Sequence, residues 1–453
     1  MSTGDQECSV TPYSAPPIPD QVFPPFDRKQ SSIYRYRQQQ SVNLGSWFVQ
    51  ENWMVPSLFT CAAAPRAGEH DVASGWNNTT SSRQVLERHW DTFIQESDFA
   101  YLQSIGINTV RLPIGYWSLG PQFCVGTAFE DVMTVYENSW KRVLRAINTA
   151  GAYGIGVLVD LHGAPGSQNG QSHSGISDGQ TTLFGNEDNI NKTINTRALT
   201  AVRNVSPEAA RFPFYIHDAF NLEKYSDYIS KRTDFLVEDH HAYYVYTPSD
   251  MAESAQSHTK DVNTTISSSL RAASLANRRN LVVDEWSCAL TARSLSQERD
   301  PMSAQRDFCT GQMNVYTDAA AGWGFWSYYK EDCETDGGWC FRKAVGQFLP
   351  QTKHPDAPYN PLAHMSPSQV AIARGYQDGF QTAKVFAQYG MSKLGFTGQY
   401  ISDTLSELVA AGTIMQSEQI TYETWFMKGL RDAEAEITAA SSNTPVVYPG
   451  AHK

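Results

Sequence analysis

The sequence has no run of about 18 apolar residues, no Cys-x-x-Cys pair and no stripe of lysine and arginine. The first absence leaves no segment suited to crossing a bilayer as a helix. The second argues against a tetrahedral zinc site, and seven cysteines, an odd number in 453 residues, argue against a disulfide framework. Cys333 and Cys340 are the one pair left open. The third leaves 35 Lys+Arg against 47 Asp+Glu, a net charge of −12. That is the wrong field for nucleic-acid phosphates or for anionic membrane surfaces, so neither is an expected partner; a neutral or small polar ligand fits better. Met1 to Pro25 is polar and proline-rich, without the basic and apolar regions of a secretory signal, so a cytoplasmic protein is expected. Five sequons, at Asn77, Asn78, Asn191, Asn204 and Asn263, state the secreted or cell-wall alternative.

With 41% hydrophobic positions, the chain has material for a large core. Short apolar runs, each closed by polar or aromatic residues, predict strands at Ser41–Phe48, Asn108–Pro113, Gly154–Leu161, Phe214–His217, Asp234–His241, Leu281–Glu285 and Gly322–Trp326. Helical patterns lie between them, among them Ser82–Ile105 and Val132–Ala150. Alternation of this kind predicts a parallel sheet, and seven units in series fit an α/β fold, a (β/α)8 TIM barrel whose chemistry sits at the strand C-terminal ends. One strand is lacking. It is lacking between Leu161 and Phe214, where Ser172–Asn195 reads as loop and Arg197–Val205 as helix, so the barrel is expected to be short of its fourth strand. The organisation expected is an N-terminal arm over 1–40, a barrel over 41–350 and a C-terminal helical extension over 351–453, built from Ser366–Lys393 and Ser402–Ala440 and packed on the barrel. The sequence specifies no oligomeric state.

Glu285 leaves the apolar run Leu281-Val282-Val283 beside Trp286, where an ionised carboxylate needs a cation or donor. Arg111, at the end of another strand, is a candidate for that cation. His162, His240, His241 and Tyr243 close two further runs. A single strand-end histidine is usually a satisfied structural residue, but agreement among several strand ends points to a site. Trp326 offers a flat face for a sugar ring. A barrel-mouth carboxylate with Arg and His support and a stacking Trp describes glycoside hydrolysis, which needs a nucleophile or base and a second, protonated carboxyl for the leaving oxygen.

The motifs Asn43-Leu44-Gly45-Ser46-Trp47-Phe48, Arg111-Leu112-Pro113-Ile114-Gly115-Tyr116-Trp117, Asp160-Leu161-His162-Gly163-Ala164-Pro165-Gly166-Ser167-Gln168-Asn169-Gly170, Ile216-His217-Asp218, Asp239-His240-His241 and Asp284-Glu285-Trp286-Ser287 occur in this order. They closely resemble the fungal exo-β-1,3-glucanase branch of glycoside hydrolase family five. The resemblance spans roughly 41–350. It implies a retaining exo-glucosidase that acts on β-1,3 or β-1,6 glucan ends, with a β-glucan or oligosaccharide as partner and no metal or cofactor. It also implies roles: Glu285 as nucleophile, Arg111 as its electrostatic partner, and His162, His241 and Tyr243 as a hydrogen-bonding frame. Glu51 becomes a contact to the terminal glucose and Trp326 its floor.

Two departures stand out. After the Ser-Gln-Asn-Gly turn the family commonly has an acidic residue, but here Gln171-Ser172-His173-Ser174 follows. The family's acid/base belongs to an Asn-Glu-Pro motif ending the fourth strand, and this chain has none; its one Asn-Glu pair is Asn186-Glu187, in loop. The family's helix and fourth strand are missing between the segments at Asn191-Lys192-Thr193 and Ala201-Val202-Arg203. An internal deletion accounts for both losses, and the acid/base is expected to be missing; the alternative is recruitment of Glu187 or of an acid elsewhere. The rival readings are a non-catalytic glucan-binding protein and an open, poorly folded sheet.

Overall fold

The structure is a computed structural model that describes residues 8, 10–21, 23, 26–197, 209–350, 367–390 and 392–442. Seven strands form one sheet: β1 (Gln39–Asn43), β2 (Thr109–Gly115), β3 (Gly156–Gly163), β4 (Phe214–His217), β5 (Leu236–Ala242), β6 (Leu281–Trp286) and β7 (Gly322–Phe325). Every pairing is parallel, and the order is β3-β2-β1-β7-β6-β5-β4. This is the cyclic order of a (β/α)8 barrel opened at one seam, because β1 pairs β7 while β3 and β4 each lack an outer neighbour among the described residues. The seam falls where the sequence lacks a strand. Burial records it too: all residues of β2 and β6 are buried, whereas β3 is half-buried as far as His162 and β4 ends on exposed His217.

The apolar runs become strands because both faces of a parallel sheet are covered. Val42, Val110, Leu112, Val283 and Phe325 join one large core with helix residues such as Leu86, Trp90 and Val143. A second cluster lies towards the N-terminal ends of the strands. There Ile33 and Tyr36, just before β1, and Phe235, just before β5, meet Phe386, Phe396, Ile401 and Phe426 of the C-terminal helices. The helices Pro367–Ala387 and Gln419–Ser442 cross closely through glycines: a Cβ at Gly379 would stand 2.0 Å from the Phe426 carbonyl oxygen, and one at Gly429 2.0 Å from that of Tyr376.

Several expectations are corrected. The first strand ends at Asn43, whose side chain turns inward to bond the carbonyls of Asp284 and Phe325, and the chain then turns through Ser46 at φ 52°. The helical run Ser82–Ile105 is two helices, Thr79–Thr92 and Glu96–Ser104, because Asp98 accepts from Gln95 N–H and starts a new N-terminus. Val132–Ala150 divides into a 3₁₀ segment, Glu130–Tyr136, and a helix, Ser139–Ala152. The loop read over Ser172–Asn195 contains a helix, Glu187–Arg197, started where Asn186 Oδ1 accepts from the N–H groups of Asp188 and Asn189. Of the helix read over Arg197–Val205, residues 198–205 lie outside the described residues. Ser402–Ala440 is also two helices, Thr397–Ala410 and Gln419–Ser442, separated after Gly412 takes φ +70°.

The cysteines give the last correction. Cys8–Cys61, Cys288–Cys309 and Cys333–Cys340 are paired, with Cα separations of 5.9, 4.8 and 5.4 Å, and only Cys124 is free. The odd count was one buried thiol beside three bridges. No helix among the described residues is long and apolar enough to cross a membrane.

Candidate active site

Side chains two apart on a strand share a face, so Asp160 and His162 of β3 point the same way, as do Asp239 and His241 of β5. Both pairs converge on Arg111 of β2 and Glu285 of β6. The Arg111 guanidinium is the hub. Its Nη1 bonds Glu285 Oε1 and lies 2.9 Å from Asn43 Oδ1, and its Nη2 lies 3.1 Å from Asp160 Oδ2 and 3.7 Å from Asp239 Oδ2. Arg111 is 3% exposed, so these charges meet in a medium that screens them little.

The other carboxylate oxygen of Glu285, Oε2, accepts from Tyr243 OH at 2.8 Å and is ion-paired with His241 Nδ1 at 3.2 Å. His241 Nε2 lies 3.1 Å from Asp239 Oδ1. Burial alone raises the pKa of Glu285, but His241, Arg111, His162 and the Tyr243 hydroxyl outweigh it and hold the carboxyl at about 2. Glu285 is therefore an anion throughout the neutral range. The histidines behave reciprocally. Burial lowers their pKa values, but Glu285 and Asp239 raise His241, and a 2.7 Å bond from His162 Nδ1 to Asp160 Oδ2 raises His162. Asp284, beside Glu285 in sequence, is fully buried; desolvation and the neighbouring Asp239 push it up to about 8, so it is neutral at pH 7.

Trp326 follows β7 and stacks on His162 with ring centroids 5.6 Å apart and planes 12° from parallel. Glu51 is buried and accepts from Trp53 Nε1–H at 3.0 Å; burial raises its carboxyl pKa, against the pull of His162. Trp53 meets Trp339 edge-on at 5.5 Å, and Tyr243 and the 66%-exposed Tyr246 also pack on Trp339. The mouth is thus an aromatic rim around an anionic carboxylate backed by cations, an arrangement suited to holding a sugar ring and stabilising positive charge at its anomeric carbon.

All seven residues singled out for the site, Glu51, Arg111, His162, His241, Tyr243, Glu285 and Trp326, cluster here. Glu187 does not. It is exposed in the first turn of its helix and among the described residues pairs with none of the groups around Glu285. The residues the sequence reading left without a role are Asn43, Asp160, Asp239, Trp53, Trp339 and Tyr246. Asp160 and Asp239 carried a usable signal, since each stands two residues before a strand-end histidine. The aromatic rim carried none, because in a chain with 12% aromatic residues no single loop ring stands out.

No family model matches the chain. A glucan 1,3-β-glucosidase 3 of Schizosaccharomyces pombe is 30% identical over 357 residues, covering 70% of this chain and 74% of that protein. An uncharacterised glycosyl hydrolase of Saccharomyces cerevisiae is 28% identical over 386 residues, 74% of each chain. Over a shorter stretch of 219 residues, a probable glucan 1,3-β-glucosidase A of Aspergillus terreus is 33% identical, covering 46% of this chain and 50% of that one. Among solved structures, a rutinosidase from Aspergillus niger superposes with TM-score 0.52 at 16% identity, over 69% of this chain and 97% of its own, a likeness of fold. The chain belongs to the fungal glucan 1,3-β-glucosidase family that its motifs resemble.

Proposed function

We propose that the protein is a retaining β-glucosidase of glucan chain ends in which Glu285 is the nucleophile and the usual carboxylic acid/base is missing. The observation that carries this reading is the convergence of Arg111, His241 and Tyr243 on the Glu285 carboxylate, which fixes its charge and orientation at the mouth of the sheet. Glu285 attacks the anomeric carbon as the bond to the leaving oxygen breaks, giving a glycosyl ester that water then opens. Trp326 floors the sugar, and Glu51 takes a hydroxyl of the terminal glucose. Without a carboxylic acid at the seam, substrates whose leaving group needs a proton suffer most, by the roughly 10²–10⁴-fold that general acid catalysis contributes.

A 2-deoxy-2-fluoro glucoside with a good leaving group tests the assignment by covalent labelling. The label is expected on the peptide carrying Glu285; a label on Asp239, or none, defeats it. A non-catalytic glucan-binding protein is the second reading, favoured by the intact aromatic rim beside an incomplete acid/base. It is distinguished by tight glucan binding without turnover of a dinitrophenyl glucoside.

The three cysteine pairs and the exposed sequon residues Asn77, Asn78, Asn191 and Asn263 support the secreted or cell-wall alternative over the cytoplasmic one. Asn204 lies outside the described residues. A mobility shift on endoglycosidase treatment of the native protein is the expected result.

A further inference from the structure

Among the described residues no strand lies between β3 and β4, where the family's acid/base strand would stand, and the groups bordering that seam decide what can move a proton there. The carboxyls around Glu285 are either committed or, like fully buried Asp284 on the opposite face of β6, sealed from a ligand at the mouth. Asp160 and Asp239 pair with Arg111, Asp218 is fully buried and accepts from His240 Nδ1 at 2.6 Å, and Glu51 accepts from Trp53. The imidazoles are mostly committed too. His162 is bonded to Asp160, His173 to Asn169, and His241 has Glu285 on one nitrogen and Asp239 on the other.

His217 is the exception. It ends β4 at the open edge with its side chain 38% exposed, and among the described residues its one ion-pair contact is Asp218 Oδ1, 3.9 Å from Nε2. Its ring centroid lies 4.0 Å from that of His241, whose Nδ1 is itself 3.2 Å from Glu285 Oε2. An imidazole with no hydrogen-bond partner among the described residues thus stands one ring away from the nucleophile, on the side where the acid/base strand is lacking.

We propose that His217 serves as the proton-transfer group of this enzyme in place of the missing carboxyl, an inference that rests on Glu285 being the nucleophile. In the second half-reaction neutral His217 accepts a proton from water as the water oxygen bonds to the anomeric carbon; the bond to Glu285 breaks and its electrons return to the carboxylate. In the first half-reaction the protonated ring gives that proton to the departing oxygen.

The charged and titratable groups facing the ring are Asp218 just after β4, His241 and Asp239 of β5, Glu285 of β6 and His173 of the loop after β3. Burial and the His241 charge outweigh the three carboxylates and lower His217 to about 4. At neutral pH the group is therefore a competent base and a scarcely populated acid. The consequence is a split pH dependence. Steady-state turnover of an activated aryl glucoside, limited by deglycosylation, should be flat above pH 5 and fall towards pH 4, whereas cleavage of a laminarin-type oligosaccharide should rise as pH falls towards 4.

The decisive comparison uses the whole chain and its His217→Ala and Glu187→Ala variants with 2,4-dinitrophenyl β-glucoside, with and without azide. His217→Ala should keep the initial burst of dinitrophenolate, lose at least tenfold in steady-state rate, and recover with azide to give β-glucosyl azide. The parent and Glu187→Ala should show little azide response. A fold damaged by the substitution would lose the burst as well, and rescue by a small nucleophile cannot repair a merely structural defect, so burst with rescue supports the assignment. An unchanged steady-state rate in His217→Ala, or azide rescue confined to Glu187→Ala, overturns it. Failure of the fluoro-glucoside to label Glu285 in the parent overturns the underlying glucosidase reading instead, whatever His217 does.

Discussion

The Arg111 guanidinium binds Glu285 through one nitrogen and lies 3.1 Å from Asp160 through the other, so a single buried cation ties a β6 carboxylate to β3 at the open edge. Its removal leaves buried Glu285 and Asp239 and half-buried Asp160 as neighbouring anions. Arg111→Ala should destabilise the fold by about 3–5 kcal/mol, the usual cost of orphaning a buried charge, and abolish labelling at Glu285. Arg111→Lys should recover only part of this, since an ammonium cannot span two carboxylates with a planar fork. Urea unfolding of the two variants provides the check.

Stability should fall as pH rises from about 6.5 to 8. Burial raises Glu69 to about 8 against the bonds it accepts from Gln50 N–H and Tyr136 OH; it also raises Glu238 to about 7 and Asp284 to about 8. In this window the native state holds protons that the unfolded chain has released, so stability is lost as these groups ionise. The raised His162 and His241 act in the same sense above 6.5. His89, His173 and His217, lowered to about 4, act in the opposite sense, but only as pH falls below 6.5. Glu69→Gln, which can still accept from Gln50 and donate to Tyr136, should flatten the decline and raise the melting temperature at pH 8 but not near pH 4.

Gly379→Ala should loosen the C-terminal helix pair. The new methyl would stand 2.0 Å from the Phe426 carbonyl oxygen, backbone that cannot rotate away, so the helices must separate. A loss of about 1–3 kcal/mol is expected from overpacking, read as a lower melting temperature with Glu285 labelling retained, because this contact lies at the end of the sheet away from the site.

Thiol counting should find one free cysteine, Cys124, after denaturation without reductant, and seven after reduction. More than one free thiol before reduction would contradict the pairing.

The strands were legible because a parallel strand covered on both faces is an apolar run whose polar closing residues mark its C-terminal end; Leu281–Glu285 and Phe214–His217 needed only this. The stretch between Leu161 and Phe214, whose composition reads as no buried strand, shows none among its described residues. Helix breaks were not, since the stops at Phe93 and Gly412 depend on local capping by Asp98 and on one left-handed glycine within patterns that otherwise continue. Cysteine partners 53 and 21 residues apart leave no local trace. Within the site, Arg111 and Glu285 announced themselves as charges at the ends of apolar runs. His217 was visible in its motif but had no distinguishing mark, because its distinction is the lack of a hydrogen-bond partner among the described residues, which only three dimensions display.

A closed ring of staves has no first piece to come loose, whereas this sheet, among the described residues, has two ends. Thermal motion can peel β3 or β4 away without first breaking the ring, while β7, central in the row, is shielded by three strands on either side. Amide protons should therefore exchange in a gradient, fastest along β3 and β4 and slowest at β7, with fraying converging from both ends. Arg111, which reaches Asp160 of β3 from β2, acts against this as a clasp on the first stave to lift.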